Sequence, residues 1–153
     1  MSAVILFVAL LGLVLYGPQR PSRVGPAAPP AEQLVSLRQE EIKRIEIVAP
    51  TFALTVEKAG LQQAAVAAFR EHCCPLAATQ KVAEHVADLA QYGLAKPQWR
   101  IRLNGQGPAL EIGALNPAVK GYYARWSGSE TVYLIDSSLG TYLPRHKQDW
   151  LKQ

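Results

Sequence analysis

The sequence predicts an α+β fold, in which one N-terminal transmembrane helix is followed by a small domain of antiparallel sheet with helices on one face. Two observations lead to this class. The chain opens with an apolar stretch and a proline-rich stretch, and the rest alternates between strand-like and helix-like spacing of apolar residues. We therefore divide the chain into an anchor (residues 1–17), a proline-rich linker (18–31) and an α+β domain (32–153).

The anchor is predicted from a stretch, Ala3 to Tyr16, without charged residues or proline. As a helix, residues 1–17 would extend about 25 Å, close to the minimum that spans a bilayer core. No lysine or arginine precedes the stretch, which disfavours a cleaved signal peptide, and apolar residues surround the whole helix, which disfavours a buried core helix. The following Arg20 and Arg23 leave the orientation open, because folded domains translocate largely regardless of flanking charge.

The linker contains five prolines, which exclude helix and sheet. Extended proline-rich chain rises about 3.1 Å per residue, so this segment could hold the domain up to about 45 Å from the membrane. A spacer is favoured over a peptide ligand, because no proline motif with a partnered basic residue is evident.

The first half of the domain is predicted to contain helices and one hairpin. A short helix is expected at residues 32–44, and alternating apolar residues then predict strands at 45–49 and 52–57, joined near Pro50. A helix is expected from Leu61 to Glu71.

A further helix is expected after Leu76, because Val82, Val86 and Leu89 would share one helical face. Gly93 stands where a glycine ends a helix.

The second half is predicted to be a meander of strands. The alternating segments are 99–103, 110–112, 122–126 and 131–136. Asn104-Gly105 supplies a hairpin turn between the first two, and the tail, residues 139–153, is expected to close the fold with a helical turn.

Several short motifs occur in a fixed order along the domain. They are Tyr92-Gly93-Leu94-Ala95-Lys96-Pro97, Glu111-Ile112-Gly113, Gly121-Tyr122-Tyr123-Ala124-Arg125 and Val132-Tyr133-Leu134-Ile135. Over roughly residues 42–150, the chain resembles a bacterial domain-of-unknown-function family in which a YGLxxP step leads from a helix into the sheet. The chain departs from that family in having a single copy of the domain and no tryptophan near Gly60.

The resemblance implies a membrane-anchored protein that usually faces the periplasm and is often encoded beside ABC transporters of the gliding-motility type. The family has no established catalytic residues, so the resemblance assigns none to this chain.

No chemistry-bearing constellation stands out in the sequence. His72, Cys73 and Cys74 are consecutive and cannot all converge on a metal ion from a regular helix. No nucleophile motif or phosphate-binding loop is present. We therefore expect no catalytic site, cofactor or metal, and no enzyme. The two cysteines are expected to be small, partly buried residues, and a redox or intermolecular role is the alternative.

The net charge of +4 is modest, and no nucleic-acid-binding motif is present, so a nucleic-acid partner is not expected. The candidate interface consists of basic and aromatic residues on the solvent side of the sheet. They are Arg100, Arg102, Tyr123, Arg125 and Trp126.

The expected function is that of a non-catalytic accessory or scaffold subunit. Residues 1–17 would sit in the bacterial inner membrane, and the domain would dock from the periplasm on a larger membrane-protein complex. The alternative is an extracytoplasmic module that binds a peptide or a glycan.

Overall fold

The computed structural model describes residues 32–57 and 63–151. The predicted anchor (1–17) and linker (18–31) therefore lie outside the described residues. Within the described ranges, no helix is both long and apolar enough to cross a membrane.

The described residues form nine strands, two α-helices and three 3₁₀ turns. The strands are β1 (Gln33–Val35), β2 (Arg44–Ala49), β3 (Phe52–Glu57), β4 (Leu76–Ala77), β5 (Gln80–Ala83), β6 (Trp99–Leu103), β7 (Leu110–Asn116), β8 (Gly121–Trp126) and β9 (Val132–Asp136). The helices are α1 (Ala64–Cys73) and α2 (Leu139–Tyr142), and the 3₁₀ turns are Gln39–Glu41, Ala90–Tyr92 and Lys147–Trp150.

Seven strands form one antiparallel sheet in the order β3-β2-β6-β7-β8-β9-β5, and β1 pairs with β4 in a separate ribbon. This arrangement confirms the predicted antiparallel sheet. The β2–β3 hairpin pairs in a regular register, with Ile47 opposite Leu54. Asn104 and Gly105 both have positive φ, as the predicted two-residue turn requires. The Asn104 side chain also accepts a hydrogen bond from the Lys43 amide at 2.7 Å, which ties this turn to the start of β2.

The helix predicted at residues 32–44 is wrong. This segment forms β1 and a 3₁₀ turn, and Val35 pairs with Leu76 in β4. The segment holds too few apolar residues for an amphipathic helix face, so strand pairing with a distant partner decides its conformation.

The helix predicted after Leu76 is also wrong. Residues 76–83 form β4 and β5 instead, and Lys81 pairs with Tyr133 in β9. The helical spacing of Val82, Val86 and Leu89 is a coincidence of sequence that long-range pairing overrides. Gly93 does adopt the left-handed conformation expected of a terminal glycine, with φ of 68°, but it ends a short 3₁₀ turn.

The helix predicted before Pro75 is confirmed as α1, and it covers the face of the sheet that we call the inner face. Its residues Val66, Phe69 and Cys73 are spaced on one side of the helix and are buried. The predicted closing turn of the tail is also present, and Trp150 packs on Phe69 with ring centroids 5.0 Å apart. Inner-face strand residues such as Ile47 join the same apolar core.

Candidate interaction surface

The outer face of the sheet, opposite α1, is covered over only part of its width. Residues 89–97, which we call the cover segment, lie against β7 and β8. The rings of Tyr92 and Tyr123 meet edge to face at 5.0 Å. Directly after the segment, the Gln98 amide donates to the Ile112 carbonyl at 2.8 Å and so extends the pairing of β6 with β7. Within this segment, Leu94 is 1 % exposed and its side chain lies close to Gly113 of β7. The outer face is therefore not uniformly solvated.

Glycine makes the close approach of the cover segment possible. A Cβ atom on Gly113 would lie 2.3 Å from the Tyr92 carbonyl oxygen, and one on Gly93 would lie 2.7 Å from the Ala114 nitrogen. The two glycines thus let two backbones touch without side chains between them. Motif residues 92–94, 113 and 123, far apart in sequence, form this one contact in space.

Next to the covered part of the outer face, one carboxylate lies between two arginines. Glu111 on β7 stands opposite Arg100 on β6 and Arg125 on β8. The Nε atoms of both arginines bind its two oxygens, Arg100 at 3.0 Å and Arg125 at 2.7 Å, while the Glu111 side chain is only 3 % exposed. A buried carboxylate needs such pairing to offset its desolvation. The three side chains therefore form one fixed charged row.

Further charged side chains extend this row onto β2 and β6, where they are more exposed. Glu46 stands opposite Arg102 and accepts from Arg44 at 2.8 Å, whereas its contact with Arg102 is 3.6 Å. Arg44 also contacts Glu57 at 3.3 Å. These groups are more exposed than Glu111, so the pairs contribute little to stability.

Beyond the cover segment, part of the outer face is open, and we call it the arginine strip. It consists of Val48, Arg100 and Arg102, of which Val48 is 49 % exposed and the two arginine side chains are 52 % and 45 % exposed. Val48 stands directly opposite Arg100. A shallow pocket of about 280 Å³ adjoins the strip and is lined in part by Pro50 and Lys96.

The structure brings together some of the predicted interface residues and separates others. Arg100 and Arg102 lie in the open strip. Tyr123 is half-buried under the cover segment, where its hydroxyl accepts a hydrogen bond from the Asn116 side chain at 2.7 Å. Arg125 is largely buried, since it binds Glu111 and donates to the Ser129 carbonyl.

Trp126 lies on the inner face, apart from the other four predicted residues. It lines an apolar pocket of about 250 Å³ together with Leu34, Leu37, Cys73 and Leu110. Neighbouring residues of a strand point to opposite faces, so Arg125 and Trp126 cannot share a surface. This alternation could have been recognised from the sequence, because the two residues are adjacent in a predicted strand.

The predicted interface lacked three residues of this region. Val48 and Glu46 lie on the open part of the outer face, and Lys96, near the end of the cover segment, lines the adjoining pocket. Alternation along β2 places Val48 outward, yet only the pairing of β2 with β6 puts it beside Arg100. That pairing joins segments about fifty residues apart, and no local sequence pattern predicts it.

Cys73 and Cys74 are free thiols, 0 % and 1 % exposed. The hydrogen bond to Cys74, together with burial, raises the pKa of Cys73 well above its ordinary value. We expect an aromatic disulfide reagent at pH 8 to modify neither thiol in the folded protein and both in urea, because only exposed thiolate reacts. Rapid stoichiometric labelling without denaturant would contradict this burial.

Within the described ranges, no group of three or more His, Cys, Asp and Glu side chains is placed to hold a metal ion. The expectation of a chain without metal or cofactor stays a prediction.

The geometry defines the class of protein as a small α+β domain built on one seven-stranded antiparallel sheet with an open arginine strip. The family model described as Domain of unknown function (DUF4340) matches residues 55–153. The chain belongs to this family, which confirms the predicted membership of a domain-of-unknown-function family. No curated protein and no solved structure matches the chain.

Proposed function

We propose that this chain is a non-catalytic accessory subunit, anchored in the bacterial inner membrane by residues 1–17, whose periplasmic domain docks on a larger membrane-protein complex. The arginine strip is the docking surface. The resemblance to proteins encoded beside gliding-motility-type ABC transporters supports a transporter as the complex.

The observation that carries the proposal is the way Arg100 is held. Its Nε atom binds the buried Glu111 at 3.0 Å while about half of its side chain remains exposed. A guanidinium already fixed at one end loses less conformational entropy when a partner binds the other end. Arginine is also enriched at protein interfaces.

The neighbours of Arg100 suit the same role. The exposed Val48 supplies an apolar centre, and Arg102 adds a second cation on the adjacent position of the strip. An acidic surface with a small apolar knob would complement this arrangement.

The test is blue-native electrophoresis of the full chain in detergent-solubilised membranes, comparing the wild type with Arg102→Glu. We expect the wild type to migrate in a large assembly, and the variant to lose it by roughly tenfold or more, because like charges across an interface cost several kcal/mol. Arg102 is chosen because its 3.6 Å contact with Glu46 contributes little to the fold.

Arg145→Glu is the matched control, since it makes the same charge change at an exposed residue outside the strip. It should leave the assembly intact. A wild type that migrates only as a small species, or an Arg102→Glu variant that assembles normally, would contradict docking through the strip.

The anchor is tested separately by fractionation of lysed cells and by N-terminal sequencing. We expect the chain to sediment with membranes until detergent is added and to retain its first residues. A mature chain beginning beyond Gly17, or one released without detergent, would contradict the anchor.

A peptide-binding module is the second candidate, favoured by the apolar pocket beside Trp126. A cavity of about 250 Å³ would accept one apolar side chain of a peptide more readily than a hydroxyl-rich glycan ring. The test is binding of the full chain to an immobilised peptide library. We expect some peptides to capture the wild type and Arg102→Glu but not Trp126→Ala.

A further inference from the structure

Strand β3 ends the seven-stranded sheet with a long and regular edge. It pairs with β2 along all six of its residues, without a register shift. Among the described residues, no other strand pairs with β3. An edge of this kind presents a row of backbone donors and acceptors to any second strand.

The opposite edge of the sheet, β5, is protected in ways that β3 is not. It is four residues long, carries Lys81, and its register shifts between Lys81 and Ala83. Short length, an edge lysine and a bulge each oppose pairing with another chain. Lys81 is held beside Glu84 at 2.9 Å, so its charge stays at this edge.

Strand β3 carries no lysine, proline or bulge. Its single charged residue is Glu57 at its last position, which contacts Arg44 of the same sheet. Leu54 and Val56 are buried on the inner face, whereas Ala53 and Thr55 lie exposed on the outer face. The edge is thus uncharged over its central part.

We infer that β3 pairs antiparallel with β3 of a second copy of this chain, about a two-fold axis perpendicular to the sheet. The two seven-stranded sheets then become one continuous sheet. This homodimer is independent of the docking function proposed above, because it uses the edge of the sheet rather than its outer face.

A second copy fits this edge because β3 is complementary to itself. Residues that stand opposite each other must point to the same face, and two antiparallel registers satisfy this for five residues of each strand. In one, Ala53 faces the second copy's Thr55, and in the other, Thr55 faces its own equivalent.

The charges of β3 are compatible with both registers. Glu57 faces Thr51 in the first register and Ala53 in the second, so the two glutamates never oppose each other. In the first register, each Glu57 also lies toward the end of the strand near Pro50, where Lys96 and Arg100 line the adjoining pocket. The charges therefore favour the antiparallel pairing.

The pairing closes after two copies. In the seven-stranded sheet of the described residues, β3 is the one edge without a lysine, a proline or a bulge, and an isologous contact between identical β3 edges leaves only the protected β5 edges at the two ends of the joined sheet. Because the axis is perpendicular to the sheet, the outer faces of both copies point to the same side. The dimer would present two arginine strips to one partner surface.

The test is sedimentation equilibrium of the purified full chain in detergent, with a triple variant, Ala53→Lys/Thr55→Lys/Glu57→Gln. Glu57 is replaced because its carboxylate would otherwise attract the new side chain at position 53 in the second register. Like charges then oppose each other in both registers, so we expect the dimer dissociation constant to rise at least about tenfold. The folded monomer should tolerate the change, because all three positions are exposed and Thr55 stands beside Glu46 on the neighbouring strand.

Glu57→Gln/Gln80→Lys/Ser127→Lys is the control, since it removes the same carboxylate and adds the same two charges at exposed residues of β5 and of the turn after β8. Its dissociation constant should match that of the wild type. Melting curves of all three proteins establish that each is folded.

Cross-linking gives an independent readout of the geometry. Ala53→Cys/Thr55→Cys should form a disulfide-linked dimer on mild oxidation, because paired positions of antiparallel strands lie about 4.5–5.5 Å apart between Cα atoms, within disulfide range. The buried Cys73 and Cys74 should not contribute, and Gln80→Cys/Ser127→Cys, at exposed positions outside β3, should form no disulfide-linked dimer.

A wild-type chain that remains monomeric at every concentration, or a dimer whose dissociation constant the lysines leave unchanged, would overturn pairing through β3. Loss of the large assembly in Arg102→Glu, with the dimer intact, would show that docking and dimerisation are separate.

Discussion

Replacing Gly113 by alanine is expected to lower the free energy of unfolding of the domain by about 3 kcal/mol, although it adds only one methyl group. The new Cβ would lie 2.3 Å from the Tyr92 carbonyl oxygen and 2.9 Å from Leu94 Cγ. The first of these neighbours is backbone and cannot rotate away. The cover segment must therefore shift, which uncovers Leu94, a buried side chain whose exposure alone costs about 2 kcal/mol.

Urea unfolding of Gly113→Ala, followed by circular dichroism, measures this loss. Amide hydrogen exchange locates it, because the Leu94 amide, which donates to the Leu89 carbonyl at 3.0 Å within the cover segment, should lose protection when that segment shifts. Gly107→Ala is the control: Gly107 has φ of 73° but no atom within 4 Å of the added Cβ. Its cost should be about 1 kcal/mol, from backbone strain alone. Equal costs at both positions would contradict the close contact at Gly113.

Replacing Glu111 by alanine is expected to cost about 3 kcal/mol, because it leaves buried positive charge without its partner. Arg125 is 16 % exposed and would lose the 2.7 Å bond from its Nε atom. Arg100 would lose a 3.0 Å bond but can turn to water, since about half of its side chain is exposed. Most of the cost therefore falls on Arg125.

The double replacement Glu111→Leu/Arg125→Met should cost less than Glu111→Ala, because removing both buried charges together avoids the unpaired state. Glu57→Ala is the surface control: its carboxylate is 64 % exposed, and its loss should change the free energy of unfolding by less than about 1 kcal/mol. A Glu111→Ala variant as stable as Glu57→Ala would contradict the role of the buried carboxylate.

Sequence patterns predicted the elements whose partners are close in the chain. The β2–β3 hairpin and the Asn104-Gly105 turn have local signals, alternation and turn chemistry, that decide both conformation and register. The sequence patterns predicted the wrong structure between residues 76 and 92, where β5 pairs with β9, about fifty residues further along the chain. A helical spacing of three apolar residues could not reveal a strand stabilised by so distant a partner.

The same division applies to the candidate surface. Alternation alone places Arg100 and Arg102 on the solvent side of β6, and the structure agrees. It could not show that Arg125 is buried, because that depends on Glu111 standing opposite it on β7. Trp126 was grouped with Arg125 although strand parity separates them.

The sequence by itself determined the antiparallel strands of the second half, the glycines that permit tight backbone contact and the absence of a recognisable catalytic motif. Only the tertiary structure decided which part of the outer face stays open, which carboxylate is buried and which strands form the edges of the sheet. The physical reason is range: conformation follows neighbours along the chain, whereas exposure and charge pairing follow neighbours in space. Those spatial neighbours, the cover segment over β7 and the strand order β3-β2-β6, come from parts of the chain that local patterns do not connect.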